Sequence, residues 1–305
     1  MKMKKFLAVV AAVSMVASLA VGCGNNDAGA DAGSTAADST TSDWDSSMDI
    51  TIVSREDGSG TRGAFIELFG IEEKDASGEK VDNTTADAQI TNSTSVMMTT
   101  VAGDEYAIGY VSLGSLDDSV KAVKIDGAEA TAENVKSGDY KVSRPFNIVT
   151  KEGMDNEVAN DFISFIMSTE GQAVVEENGY IAVDDVTAYA GTKPSGKCVV
   201  GGSSSVSPVM EKLIEAYKAV NTNAEIELQT TDSTTGVTST QDGSYDIGMA
   251  SRELKEEETG VTSTVIATDG IAVVVNNDST VEELTTDQVK SIYVGDALTW
   301  DEVLK

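Results

Sequence analysis

Short apolar runs alternate with amphipathic helical patterns along most of this chain. The run at residues 50–53 predicts a buried strand, and apolar positions one helical turn apart between 64 and 69 predict a helix after it. A second pair consists of the run at 198–200 and an apolar stripe that extends to Tyr217. This alternation indicates an α/β fold over residues 48–305.

The first strand and helix are joined by Ser-Arg-Glu-Asp-Gly-Ser-Gly-Thr-Arg at residues 54–62. Its glycines let a ligand approach the backbone, while Ser59 and Thr61 place hydroxyls beside the unpaired N–H groups of the helix start. The positive end of the helix dipole and the guanidinium groups of Arg55 and Arg62 favour an oxyanion. The segment predicts an oxyanion site, although an ordinary turn with a Ser or Thr N-cap explains the same residues.

Three further polar clusters follow β-like runs. Gly-Gly-Ser-Ser-Ser at 201–205 precedes the second apolar stripe, and the other two clusters lie at 232–236 and 250–253. We assign the stripe to the core and treat the hydroxyls at its head as candidate ligand groups. Open α/β sheets present their ligand sites at the ends of strands, so these clusters are candidates for one binding site.

These motifs resemble the phosphate-binding protein of the bacterial ABC-type phosphate uptake system. The matching pieces are SREDGSGTRGAF, GGSSSVSPVMEKLIEAY, DSTTGV, YDIGMASRELKEEE and ATDGIAVVVN, and the resemblance covers roughly residues 48–305. It implies a two-lobed periplasmic-binding-protein-like fold (Venus-flytrap, type II) that closes on one phosphate. It also implies a binding protein rather than an enzyme, with ABC transporter permease subunits as partners.

The resemblance places nine residues of this chain at phosphate-binding positions. They are Arg55, Ser59, Gly60, Thr61, Ser205, Val206 through its N–H, Ser233, Ser251 and Arg252. Some members have an aspartate where this chain has Ser251, followed here by Arg252. That aspartate accepts the proton of hydrogen phosphate, so its absence leaves open how this chain discriminates against sulfate.

The first 22 residues are typical of a signal peptide, with lysines followed by an apolar segment too short to span a bilayer. Cys23 follows small residues and looks like a lipobox cysteine, which implies cleavage before it and a lipid anchor on the extracytoplasmic face of the membrane. Ordinary signal cleavage with a free cysteine is the alternative. Residues 24–47 are poor in large apolar side chains and predict a disordered tether. Cys198, the other cysteine, is expected to be a buried core residue.

The formal net charge of −30 excludes nucleic acid as a partner, because the chain repels a polyanion. A phosphate site must therefore rely on local donors, since screening limits the repulsion to about 10 Å. We expect the acidic runs at 72–73 and 255–258 to be solvated faces rather than metal ligands. We also expect no cofactor, no metal and a monomer.

The competing functional class is an enzyme. The chain has no histidine, which excludes Ser-His-acid triads and histidine metal sites. A serine-dependent hydrolase would need a serine and lysine pair, and Ser77 with Lys80 is a weak match in a polar stretch. A receptor for sulfate or molybdate would also account for these motifs, as would a phosphate-sensing lipoprotein that serves no transporter.

We call each turn that joins a strand to the start of a helix a corner. The order of the motifs differs from that of the family, where the GGSSSV corner comes early and the SREDGSGTR corner follows a segment like LTTDQVKSIYVGDALTWDEV. We therefore expect a circular permutation. It predicts one lobe from residues 48–119 plus 275–305 and a continuous lobe from 120–274, with the hinge near 116–122 and 272–278. A piece of a tandem array, or a truncated gene, is the alternative explanation.

Overall fold

The computed structural model describes residues 44–305, in which strands and helices are interspersed along the chain. The predicted signal peptide and Cys23 lie outside the described residues. The strands are β1 (Thr51–Arg55), β2 (Glu72–Lys74), β3 (Lys80–Asp82), β4 (Gln89–Thr91), β5 (Ala107–Ser112), β6 (Lys121–Ala122), β7 (Lys124–Ile125), β8 (Ser143–Lys151), β9 (Gly196–Ser203), β10 (Ala224–Thr231), β11 (Ile247–Ala250), β12 (Val261–Val275) and β13 (Glu283–Leu284).

The helices are α1 (Gly60–Leu68), α2 (Thr94–Ala102), α3 (Ala132–Ser137), α4 (Glu157–Ile166), α5 (Thr169–Glu177), α6 (Ser207–Val220), α7 (Ser233–Asp242), α8 (Thr286–Val294) and α9 (Trp300–Val303), with a 3-10 turn at Leu113–Ser115. The two helices that the sequence predicts, after residues 54–62 and after residues 201–205, are α1 and α6. Across residues 44–305, none of these helices combines the length and apolar character needed to cross a bilayer.

One long strand joins two sheets. The strand order is β10-β9-β11-β8-β12-β5-β1-β4. The first part of β12, up to Gly270, pairs antiparallel with β8, and its last part, from Ile271, pairs antiparallel with β5. The mixed parallel and antiparallel pairing with helices on the faces confirms the α/β class.

Two separate apolar cores define two lobes. The core of the first lobe gathers β1, α1, α2, β5, the end of β12 and α8. The core of the second lobe gathers β8, α4, β9, α6, β11 and the first half of β12. Cys198 is fully buried in the second core, as predicted, and burial raises the pKa of its thiol to about 12.

The first crossing between the lobes lies later along the chain than the sequence predicts, and the second lies slightly earlier. Residues 120–142, which the motif order assigns to the continuous lobe, pack in the first core. Tyr140 Oη donates to Ile271 O over 2.7 Å, and Val123 N donates to Val273 O over 3.0 Å. These contacts tie the segment to the end of β12, so the crossings lie near residues 143 and 270 rather than near 116–122 and 272–278.

The C-terminal segment packs on the same lobe as the segment that starts at residue 48. Val289, Ile292 and Tyr293 of α8 are fully buried in the first core. Ile50 N donates to Leu298 O over 2.8 Å. The packed chain also begins earlier than the predicted tether boundary at 47, because the ring of Trp44 lies 5.8 Å from that of Trp300.

A buried ion pair marks the crossing. Arg144 of β8 donates from Nη2 to Asp269 Oδ2 over 3.2 Å, and both side chains are almost fully buried. Asp269 also accepts from the Gly114 N–H over 3.3 Å. Burial raises the pKa of Asp269 to about 6, because desolvation of the carboxylate outweighs the attraction of Arg144.

This pKa predicts how stability depends on pH. The folded-state pKa of Asp269 lies above its ordinary value of 3.8, so the folded state binds the proton more tightly than the unfolded state. The resulting stabilisation is present below about pH 4 and is lost as pH rises through about 6. In Asp269→Asn the group does not titrate. The free energy of unfolding of the wild type minus that of this variant should therefore fall between about pH 4 and pH 7 in urea titrations. A difference that rises with pH would contradict the assignment.

Candidate oxyanion-binding site

The first corner of the site joins β1 to α1. β1 continues two residues beyond the predicted run, so that Ser54 and Arg55 are strand residues. Ser59 is the N-cap of α1, and its Oγ accepts from Arg62 N over 3.3 Å. Within residues 44–305, the backbone N–H groups of Gly60 and Thr61 donate no hydrogen bond. Two backbone donors at the positive end of the helix are therefore free for an anion.

Arg55 is the buried cation of this corner, with 2% of its surface exposed. Its Nε and Nη2 donate to the two carboxylate oxygens of Glu56 over 2.8 and 2.7 Å. Its backbone N–H donates to Tyr110 Oη over 3.0 Å, and burial raises the pKa of Tyr110, so this hydroxyl remains neutral. The ion pair fixes one edge of the guanidinium and leaves Nη1 with a single long contact, 3.5 Å to Thr94 Oγ1.

The second corner joins β9 to α6. The sequence predicts a turn from residue 201, but β9 continues to Ser203 because Gly201 and Gly202 pair with β11. Gly202 has a φ of +137°, and a Cβ atom there would lie 2.3 Å from Met249 O. Only glycine fits this close approach. β9 ends at Ser203, and the turn after it places Ser204 against Arg55 and Ser205 against Thr61 of the first lobe.

Three serines of the second lobe form a buried network at this edge. Ser203 Oγ donates to Ser251 Oγ over 2.9 Å, and Ser251 N donates to Ser233 Oγ over 3.0 Å. Ser233 is the first residue of α7, whose N-cap Asp232 accepts from Thr235 N over 2.9 Å. The structure thus brings the second, third and fourth polar clusters of the sequence together.

The two lobes face each other closely across these groups. Thr61 Oγ1 of the first lobe lies 2.7 Å from Ser205 Oγ of the second. Gly58 O accepts from the N–H of Thr234 over 3.2 Å. A Cβ atom on Gly60 would lie 2.4 Å from Ser233 Oγ. The structure is therefore a closed arrangement, with hydroxyl and N–H donors of both lobes around one point.

Arg252 and the Val206 N–H, two of the nine positions that the resemblance places at the phosphate, donate to acceptors of their own lobe. Arg252 donates from both terminal nitrogens to Glu258 over 2.7 and 2.8 Å. Burial opposes the ionisation of Glu258, but the hydrogen bonds from Arg252 and from Lys255 N lower its pKa. Glu258 is thus a buried ion-pair partner and not part of a solvated face. The Val206 N–H donates to Ser203 O over 3.1 Å.

Arg62 also points away from the other donors. Its Nε donates to Asp82 Oδ2 over 2.9 Å, and its Nη1 donates to Arg55 O over 2.7 Å. Burial opposes ionisation of Asp82, but hydrogen bonds from Thr84 and the charge of Arg62 lower its pKa. Of the two arginines that flank the first corner, Arg55 is the one at the junction of the lobes.

The structure brings Thr94, which is not among the candidates from the sequence, to the site, and it assigns a contact to Ser204, one of the candidate hydroxyls of segment 201–205. Ser204 Oγ accepts from Arg55 Nη2 over 3.1 Å, and Thr94 Oγ1 lies 3.2 Å from Ser205 Oγ. Thr94 begins α2 and belongs to a Ser-Thr-Ser cluster that follows β4. The cluster has the same signature as the other corners, a small polar group after a short strand, so it could have been found.

Two lobes that are joined by one long strand, β12, and face each other with hydrogen-bond donors define a two-lobed solute-binding protein. The PBP superfamily domain matches residues 21–170 and 187–305 of this chain. Phosphate-binding protein PstS 2 from Streptococcus agalactiae is 54% identical over 100% of both chains. Phosphate-binding protein PstS 2 from Streptococcus pneumoniae is 44% identical over 99% of this chain and 100% of the relative.

A solved structure agrees. A phosphate-binding protein of a phosphate ABC transporter from Streptococcus pneumoniae is 46% identical, with a TM-score of 0.66 over 84% of this chain and 100% of that one. This chain therefore belongs to the family of phosphate-binding proteins of phosphate ABC transporters, within the PBP superfamily. The family comprises binding proteins rather than enzymes, and the weak hydrolase candidates Ser77 and Lys80 lie on an exposed loop and strand.

Proposed function

We propose that this chain binds inorganic phosphate between its two lobes and delivers it to the permease of an ABC transporter. The observation that carries the proposal is the convergence of Arg55, the free N–H groups at the start of α1 and the serine hydroxyls of the second lobe. Its family membership supports the same function. The location that follows is extracytoplasmic.

In this proposal the donors divide into three groups. Arg55 provides the charged contact through Nη1. Gly60 and Thr61 provide backbone N–H groups, and Ser59 and Thr61 add hydroxyls. The second lobe adds the hydroxyls of Ser205, Ser233 and Ser251, which lie buried opposite α1. Phosphate would replace the direct contacts between hydroxyls that the closed arrangement contains.

Arg252 has a supporting part in the proposed site. The guanidinium of Arg252 is held by Glu258 and also lies 3.3 Å from Thr234 Oγ1, whose own N–H bonds to Gly58 O. Arg252 therefore supports the hydrogen bond between Thr234 and Gly58, which joins the two lobes. We therefore assign it to closure of the cleft rather than to direct binding of the anion.

Calorimetric titration of the ligand-stripped protein with phosphate, arsenate, sulfate and molybdate tests the proposal. We expect tight binding of phosphate and arsenate. A serine hydroxyl can accept a hydrogen bond from the P–O–H group of hydrogen phosphate, but it can also donate one to sulfate, so the sulfate titration measures how far these serines discriminate between the two anions. Preferred binding of sulfate or molybdate would establish the alternative receptor. Normal phosphate uptake by cells without the protein would favour the sensing lipoprotein.

We propose that Cys23 carries a lipid anchor. The short apolar segment before it and the small residues next to it support this assignment. Cys23→Ala should move the protein from the membrane fraction to the medium, or leave its signal peptide uncleaved, as immunoblots of cell fractions would show. A correctly cleaved Cys23→Ala protein that stays on the membrane would show that another group anchors it.

We also propose that the segments of this chain follow a circularly permuted order relative to the usual order of the family. Support comes from the bridge between Asp49 and Thr299, which holds the two ends of the split lobe together. A variant that joins Lys305 to residue 48 through a short glycine linker and opens the chain after Asp184 restores the usual order. It should fold and bind phosphate with the wild-type affinity, since its contacts are unchanged. Failure of this variant to fold would count against the permutation.

A further inference from the structure

Thr94 lies beside Arg55 because of strand pairing. β4 pairs parallel with β1 so that Thr91 is the partner of Arg55, and α2 begins three residues later. Thr94 has 6% of its surface exposed, although Val96 in the same helical turn is exposed. Burial of this one hydroxyl at an otherwise solvated helix start requires a polar environment, which the two lobes supply together.

Thr94 and Arg55 hold the same serine of the opposite lobe. The Thr94 N–H donates to Ser204 Oγ over 3.4 Å, and Thr94 Oγ1 lies 3.3 Å from that atom. Arg55 Nη2 donates to Ser204 Oγ over 3.1 Å. Ser204 therefore connects the two first-lobe residues when the cleft is closed.

The hydroxyl of Thr94 is not needed to begin its own helix. Ser93 is the N-cap of α2, and its Oγ accepts from Val96 N over 3.3 Å. The Thr94 hydroxyl is thus free to contact Arg55 Nη1 and Ser205 Oγ, at 3.5 and 3.2 Å. Glu56 fixes the other edge of the same guanidinium, so Thr94 and Glu56 together define its plane.

We propose that Thr94 is a positioning residue of the oxyanion site. It orients Arg55 toward the anion through the shared contact with Ser204, and it does so only when the lobes close. The inference rests on the phosphate-binding function proposed above. It predicts that loss of the Thr94 hydroxyl weakens phosphate binding without changing the stability of the phosphate-free protein.

The test compares phosphate dissociation constants by calorimetry. Thr94→Val keeps the shape and removes the hydroxyl, and we expect binding about two- to tenfold weaker, the range for one neutral hydrogen bond. Thr94→Ser restores the hydroxyl and should bind within about twofold of the wild type. Thr99→Val removes an exposed hydroxyl from the same helix, one that donates to Ser95 O, and should leave the affinity unchanged.

A double-mutant cycle with Ser204→Ala identifies the route. If Thr94 acts through Ser204, the double variant should lose less affinity than the product of the two single losses. Thr94→Val with wild-type affinity would overturn the inference, and so would losses that multiply or a Thr94→Ser variant that fails to recover. Wild-type protein that binds no phosphate would instead overturn the proposed function, and with it this inference.

Discussion

Arg55→Ala should weaken phosphate binding at least about tenfold, since a charge-assisted hydrogen bond contributes roughly 1.5 to 3 kcal/mol. Arg55 is the buried cation at the junction of the lobes, and its removal also leaves the Glu56 carboxylate without its partner. An unpaired carboxylate beside the site repels an anion, which adds to the loss. Arg55→Lys should lose less, because an ammonium keeps the charge but not the two-pronged contact with Glu56.

Arg62→Ala is the matched control for charge. It removes the same charge from a nearby position on the first corner, but the Arg62 side chain is paired with Asp82 and Asp57. Phosphate affinity by calorimetry should change far less than in Arg55→Ala. If Arg55→Ala binds phosphate as tightly as the wild type, or if Arg62→Ala has the larger effect, the arginine assignment is wrong.

Gly60→Ala should abolish tight phosphate binding while leaving the fold intact. The added Cβ atom would lie 2.4 Å from Ser233 Oγ and 2.7 Å from Ser251 Oγ, both in the opposite lobe. These hydroxyls are held within their own network, so the lobes must stay apart. Donors of the second lobe then cannot reach the anion, and loss of two or more hydrogen bonds weakens binding at least about tenfold.

Gly63→Ala separates this effect from any change in α1 itself. Its Cβ atom would meet only Arg252 Cδ, at an ordinary contact distance of 3.8 Å. Both substitutions raise helix propensity, so neither should destabilise the phosphate-free protein. X-ray scattering should show that phosphate reduces the radius of gyration of the wild type and of Gly63→Ala, but not of Gly60→Ala. Equal affinity in Gly60→Ala and the wild type would refute the contact between the lobes.

The local parts of the site could be predicted from the sequence. A buried strand followed by glycines and hydroxyl residues identifies a helix start that can bind an anion, and both α1 and α6 follow such a corner. The apolar stripe of α6 is core, as predicted, because its periodicity leaves one face that must be buried. These features depend on residues within a few positions of one another.

The non-local parts could not be predicted. Thr94 reaches Arg55 only through the register of β4 on β1, which the residues of neither strand specify alone. The partner of Arg252 depends on how the loop to Glu258 folds back. The first lobe boundary predicted from the motif order is too early, because β6 and β7 have two residues each, too few to show a periodic pattern.

The continuity of β12 has a consequence for folding cooperativity. Its residues up to Gly270 serve the second sheet and those from Ile271 serve the first, with no loop between them. If β12 separates from one sheet, the strand also becomes less ordered in the other sheet, whose hydrogen bonds depend on it. The lobes should therefore unfold in a single transition rather than as two independent domains, and their motion in closure must be taken up by bending of a paired strand.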